Sequence, residues 1–358
     1  SDVYDVSGKL IMPGIIDTHV HLSSWLGGRF GHKMLALAGV TTAFDFAGPI
    51  ESVLNAAKNY GKGLNICTLN YVRPDYTVKS TNPNDLELEE LLYNSLEGGA
   101  LGYKLLGGHY PLTPEATARA IEIANENHAY VAFHAGTLDS ASNILGMREA
   151  IELIGERYVH LAHINSYCRG QIDSPISESI EALNMLKTKK NIISESYLSP
   201  YNGTSANCTN GIPDSLVTRK CLEINNYEVS EKGLEEAIFD GYANISMEYG
   251  GINKLISGQE GVDYWKENNQ SGTISFAVNP SVSRYLIATE KDNDEFIVNA
   301  FSSDGGGIPR NEIIYRGLSL VKLGAMSIEE FSEKSSYNPS RMIGLLNKGS
   351  IEEGFDAD

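Results

Sequence analysis

Short apolar runs alternate with amphipathic stretches along most of the chain. Eight runs rich in β-branched and aromatic residues fall at 10–22, 41–47, 65–72, 100–106, 130–136, 158–164, 191–198 and 299–304. Between them lie segments with helical periodicity and readable start signals. Thr113-Pro114 sets a capping residue before a proline at the first helical position, ahead of 115–127. Ser327 and Glu330 form a capping-box pattern before a C-terminal helix. Gly39 stops a helix just before the second run. Alternating strands and helices of these lengths predict parallel βα units, and eight strands are the number that closes a barrel. The predicted fold class is therefore α/β, a (β/α)₈ TIM barrel. One stretch departs from the alternation: 200–273 is rich in Asn, Gly, Ser and Tyr and shows no clear strand. It follows the seventh run, on the side where barrel active sites sit, as either a lid or a structural elaboration.

The polar residues that interrupt the apolar runs supply the candidate chemistry. In Pro13-Gly14-Ile15-Ile16-Asp17-Thr18-His19-Val20-His21, His19 and His21 are two apart, so on a strand they share a face. Two adjacent neutral imidazoles make half of a metal site. His134 and His163 each close a later strand, and Asp304 ends the last one before three glycines that allow close backbone approach. His160, three residues from His163, is expected to face the other way as a packed or capping residue. His32 and His128 are expected at the surface. Lys104 sits in the apolar run Gly102-Tyr103-Lys104-Leu105-Leu106, where an unpaired ammonium is costly. It is either a salt-bridged or snorkelling lysine or, after reaction of its amine with CO₂, a carbamate able to bridge two metals.

Charge narrows the partners. Acidic residues outnumber Lys and Arg by 46 to 28, a net charge of −18, which counts against nucleic acid and anionic membranes as partners. No apolar run is long enough to span a bilayer, and no basic segment followed by an apolar one opens the chain. Cys67, Cys168, Cys208 and Cys221 lack paired or zinc-finger spacing, which fits reduced thiols and a cytoplasmic location.

Together these residues resemble the amidohydrolase superfamily, in its branch of D-aminoacylases, hydantoinases and dihydroorotases. His19-Val20-His21 resembles the strand-one pair, Lys104 the carboxylated bridging lysine, and His134 and His163 the fifth- and sixth-strand ligands. Asp304 resembles the strand-eight aspartate, and Asn338-Pro339-Ser340 with the segment 348–358 resembles the family's C-terminal motif. The likeness runs from about Gly8 to the last residue. It implies two divalent ions, zinc first, the one held by His19, His21, Lys104 and Asp304 and the other by Lys104, His134 and His163. The N6-carboxylated Lys104 would bridge them. A metal-bridging hydroxide would attack the amide carbonyl while Asp304 passes a proton to the leaving nitrogen. His109 or Tyr110 would either donate to the developing oxyanion or simply pack. Arg310 would pair with a substrate carboxylate, and Asn279 and Tyr201 would line the pocket.

The same resemblance sets the expected organisation. Residues 1–9 would be a remnant of a small β-sandwich, 10–345 the catalytic barrel with its insertion, and 346–358 the start of a return to a sandwich that is missing or truncated. The expected activity is deacylation of an N-acyl-(D-)amino acid or related small amide. The alternatives are a cyclic-amide hydrolase of the hydantoinase, dihydropyrimidinase or dihydroorotase kind, and a non-catalytic scaffold. The expected partner is a small-molecule amide, with no nucleic acid or membrane, in a homo-oligomer.

Overall fold

The computed structural model describes residues 3–23 and 28–358, so the first two residues of the 1–9 stretch lie outside it. Eight strands run parallel. They are β1 (Ile15–His21), β2 (Val40–Asp45), β3 (Asn65–Thr68, resumed at Asn70–Val72) and β4 (Gly102–Leu106). The others are β5 (Tyr130–His134), β6 (Val159–Leu161), β7 (Ile192–Tyr197) and β8 (Ala300–Ser302, resumed at Gly305–Gly306). Each pairs with the next around the ring. The second half of β8 returns to β1, with Val20 opposite Gly305 and His21 opposite Gly306. These pairings form two sheets, of four and six segments, that meet where β3 and β8 are interrupted, and all eight strands that the alternation predicts are present.

Burial on both faces explains why these strands read as apolar runs. Six of the seven β1 residues are buried, as expected where helices cover the outside and side chains fill the inside. The helices carry the caps that stop and start them. Asn84 and Ser327 each close a capping box, with Glu87 and Glu330, and Thr113 accepts from the Ala116 N–H. Each such cap stabilises by about 1 kcal/mol. Leu88, Leu92, Ile121, Met147 and Leu183 pack on the outward residues of β4 to β6, including Tyr103, Val131 and Phe133. No helix among the described residues is long and apolar enough to cross a membrane.

The insertion differs from the expectation of a strandless stretch. It folds as an antiparallel sheet, in the order Ile252–Ile256, Ala243–Tyr249, Thr273–Phe276, Asn202–Ser205, backed by the helices Leu216–Ile224, Glu231–Phe239 and Gly258–Glu267. Trp265, Ile245, Ile274 and Phe276 give it a core of its own. Its strands escaped detection because the first reads Asn-Gly-Thr-Ser, without a β-branched or aromatic run. Its hairpin reaches back to the barrel, where Asn253 Nδ2 donates to the Gly307 carbonyl at 2.7 Å.

A π-helical turn at Glu333–Tyr337 packs beneath the ring, and the Ser336 hydroxyl reaches the Pro13 carbonyl. It buries Lys334 completely; Nζ donates to the Ala288 and Val298 carbonyls, 2.7 Å each, over the Phe296 ring. Burial brings this amine down to about 7. Between that value and the unfolded value near 10.4 the unfolded chain holds more protons, so this group's penalty is full below pH 7 and fades as pH rises. Chemical denaturation should therefore show the protein gaining stability relative to Lys334→Met between pH 7 and 10. A difference that does not change with pH would rule out the neutral amine.

Candidate metal centre

The sequence candidates converge at the C-terminal end of the ring. On β1, His19 and His21 share the inner face, as their spacing requires. His21 Nε2 lies 2.8 Å from Asp304 Oδ1 and His19 Nε2 lies 3.4 Å from it. Ligand atoms of His19, His21 and Asp304 all fall within 4.8 Å of one another, with the residues buried or nearly so. Lys104 Nζ stands 3.0 Å from His19 Nε2, over the Phe46 ring. A second pair sits beside this group. His134 Nδ1 faces His163 Nε2 at 3.1 Å, while the Ser142 and Ser166 hydroxyls hold the opposite nitrogens, at 2.7 and 2.6 Å. The His19 and His163 rings stack, centroids 5.1 Å apart.

Two of these residues come off their strands in an uncommon conformation. His163 has φ 33° and Asp304 φ 49°. Such backbone is uncommon outside Gly and Asn and persists where surroundings hold it. Asp304 is tethered by its own N–H to the His19 carbonyl at 2.9 Å. Gly306 lets β8 fold this closely onto β1: with φ 78°, an added Cβ would meet the His21 carbonyl oxygen at 2.5 Å. Gly108 plays the same part for the loop after β4, which passes over the His134 ring. The turn at His163 also corrects the expectation for His160. Because β6 ends at Leu161, the alternation does not extend to His163. His160 points inward as well, bonded to the Tyr130 hydroxyl at 2.7 Å and packed on Phe46 below the ligands. His32 is likewise buried, on the helix Gly28–Leu37, where a surface position was expected; His128 is exposed.

Electrostatics favour neutral imidazoles. Burial, followed by the Lys104 charge, holds His19 well below its usual value; burial and His163 do the same for His134. Neutral imidazole is the form that binds a metal. Burial alone would raise the Asp304 carboxyl, but the Arg310 guanidinium and the His19 and His21 rings outweigh it and hold it well below the usual carboxylate range. Lys104 is lowered by burial to about 8, against the pull of Asp304 and Glu195. Two imidazoles and an anionic carboxylate facing one space, with a second pair of imidazoles beside them, fit one or two divalent ions of the N- and O-binding kind.

The remaining candidates divide. The His109 ring lies 5.5 Å from that of His134, beside the cluster, and burial with Lys104 lowers it to about 4. Tyr110 turns outward, 38% exposed, with Arg73 over its ring at 4.2 Å. Arg310 is buried and engaged: Nη2 pairs with Asp304 Oδ2 at 2.6 Å, Nε reaches the Asp304 carbonyl, and Nη1 donates to the Tyr201 carbonyl. Asn279 donates to the Tyr201 carbonyl as well, at 3.0 Å.

Glu195 on β7 is the residue that sequence reasoning missed. Fully buried, it accepts from His19 Nδ1 at 2.8 Å, the His163 N–H at 2.7 Å and the Ser302 hydroxyl at 2.5 Å. Burial pushes its carboxyl up to about 8, opposed by the bonds from Ser302 and His163. The contact with Nδ1 fixes the His19 tautomer and leaves the Nε2 lone pair toward the cluster. The available signal was weak: a single Glu between two serines near the end of the seventh run.

Comparison with known proteins agrees with this geometry. Residues 10–238 match the model of the Amidohydrolase family. The chain is 28% identical over 177 residues to urease subunit alpha of Staphylococcus aureus, a match covering 46% of this chain and 28% of that subunit. It thus spans under a third of the length of the curated relatives it matches. In shape it is similar to N-acyl-D-glutamate deacylase from Bordetella bronchiseptica, solved with zinc and a phosphonate inhibitor. The TM-score is 0.67 at 13% identity, over 99% of this chain and 80% of that one. D-aminoacylase gives 0.63 at 14% identity, over 97% and 78%. At these identities the likeness speaks for the fold.

Glu195→Gln keeps the volume and replaces the carboxyl acceptor behind His19 with an amide. Chelator competition should show metal held roughly 10–100-fold more weakly. An unchanged affinity would reduce Glu195 to packing.

Proposed function

The chain belongs to the amidohydrolase family, and from that premise we propose that it is a metal-dependent hydrolase cleaving the C–N bond of an N-acylated amino acid, D-configured substrates first. The observation that carries this reading is the convergence of His19, His21 and Asp304 ligand atoms within 4.8 Å at the open end of the barrel. Solved relatives of the same shape include deacylases of D-amino-acid derivatives, one of them with zinc, which makes zinc the first candidate here. We assign one ion to His19, His21, Asp304 and Lys104, and a second to Lys104, His134 and His163. A divalent ion held there supplies Lewis-acid polarisation of the scissile carbonyl and a nucleophile usable near neutral pH.

The chain's own residues do the rest. Arg310 holds Asp304 Oδ2, so Oδ1 is left facing the cluster in a fixed rotamer. From there Asp304 accepts the proton of the attacking water and delivers it to the departing nitrogen, which leaves poorly unless protonated. The same guanidinium lowers the carboxyl, so Asp304 is ionised and ready to accept at neutral pH. Lys104 contributes as its carbamate: the Nζ lone pair bonds to the carbon of CO₂, a proton leaves, and an anion replaces an ammonium beside three histidines. Burial of the amine leaves part of it neutral near pH 7, the form that reacts. His109, beside His134, donates to the developing oxyanion, a contact worth about 2.7–4 kcal/mol where such donors have been removed.

A primary-amine release assay on metal-replete protein should show turnover of N-acyl-D-amino acids. Asp304→Asn should keep most of the metal and lose activity by orders of magnitude. Near-normal turnover by that variant removes the proton-transfer role. Loss of ring absorbance from hydantoin or dihydrouracil, without amine release, replaces deacylation by ring opening.

A further inference from the structure

A second guanidinium stands at the barrel mouth, and none of the roles above uses it. Arg169 lies six residues beyond His163, between the 3₁₀ turn Ile164–Tyr167 and the helix Pro175–Lys187. Its Nε donates to Asn279 Oδ1 at 2.8 Å, and its Nη2 to the Tyr197 hydroxyl at 3.1 Å and Asn202 Oδ1 at 3.0 Å. All three acceptors are neutral. Among the described residues Arg169 forms no ion pair, although the chain has 46 carboxylate side chains for 28 Lys and Arg. A part-buried guanidinium held without a counter-ion carries an uncompensated desolvation cost. Nη1 takes no part in these three bonds.

Its position relates it to the metal cluster. Tyr197, whose hydroxyl it holds, turns its ring against that of His163, centroids 6.1 Å apart. Behind burial, the Arg169 charge is one of the effects that keep the His163 imidazole unprotonated. Arg310, which is buried on this side, is taken up by Asp304 and the Tyr201 carbonyl, and the buried Arg284 by the Asn279 and Leu198 carbonyls. Arg310 has no free fork to offer a substrate.

We infer that Arg169 is the anion anchor of the active site, binding through Nη1 the carboxylate on the amino-acid half of the substrate. The anchor is preorganised. Asn202 opens the first strand of the insertion and Asn279 follows its last, so the two stems of the insertion fix the guanidinium plane. Little rotamer freedom is left to lose on binding. The insertion thereby acquires a function: it orients the group that selects acids over neutral amides. This inference deepens the hydrolase reading and rests on it for the identity of the substrate.

The test compares kcat/KM for N-acetyl-D-leucine and for its C-terminal carboxamide, by amine release, on the metal-replete full chain. A charged hydrogen bond is worth about 1.5–3 kcal/mol. Arg169→Gln should therefore cut kcat/KM for the acid roughly 10–100-fold more than for the carboxamide, chiefly through KM. Asn202→Asp keeps the arginine but gives it an internal counter-ion, and should produce the same acid-selective loss without disturbing the fold. Equal losses on both substrates in either variant make Arg169 a strut for the insertion and overturn the anchor. If the unaltered protein hydrolyses neither compound, the hydrolase reading fails on them, and calorimetric titration of N-acetyl-D-leucine judges the anchor separately. Binding weakened by Arg169→Gln retains it; binding that is absent or unchanged rejects it.

Discussion

Glu195 gathers four strands of the barrel onto one carboxylate. From β7 it receives His19 on β1, the backbone of His163 just past β6, and Ser302 on β8. A carboxyl group this deep is expensive unless it is hydrogen-bonded, and three donors meet its two oxygens. Removing one partner leaves a buried polar group without a hydrogen bond, a cost of about 1–3 kcal/mol. The network therefore sets both the orientation of the His19 ring and the spacing between the two halves of the ligand cluster. Lys104, Asp304 and the His134–His163 pair take their places around a ring whose tautomer is fixed from below.

Above that point the cluster is shaped by strain and by close backbone approach. His163 just past β6 and Asp304 in the break of β8 adopt positive φ, turning their side chains to the axis where a continuing strand would turn them aside. The Asp304 tether to the His19 carbonyl and the Arg310 grip on its carboxylate stabilise a conformation that is locally unfavourable. Both constraints hold the Asp304 carboxylate in one place, which the proposed proton transfer requires. Fixed polar groups in a water-poor site reorganise little during reaction, which is the general source of their catalytic effect.

Much of this was legible in the chain. Parallel strands buried on both faces read as unbroken apolar runs, so all eight appear in the sequence, and ligands at their C-terminal ends appear as polar residues closing those runs. The face of His160 was misassigned because alternation was carried past Leu161, where the strand stops. Glu195 was not singled out because Ile-Ile-Ser-Glu-Ser-Tyr puts it among serines, and which serines and glutamates line a barrel depends on register. His32 was placed at the surface although its helix buries it. The insertion's first strand, Asn-Gly-Thr-Ser, is made of residues that favour turns, and the other three are short runs of mixed apolar and polar residues that pack into a shared core around Trp265. Arg169 has no local signature, since its meaning depends on three partners 28 to 110 residues away.

The account stands or falls on whether this cluster holds divalent ions in the stated way. Anomalous diffraction from crystals grown with zinc tests that directly. The account predicts one peak among His19, His21 and Asp304 and a second between His134 and His163, with density for a three-atom extension on Lys104 reaching both. Zinc bound elsewhere, or a Lys104 amine still against His19 with no peak beside it, would contradict it.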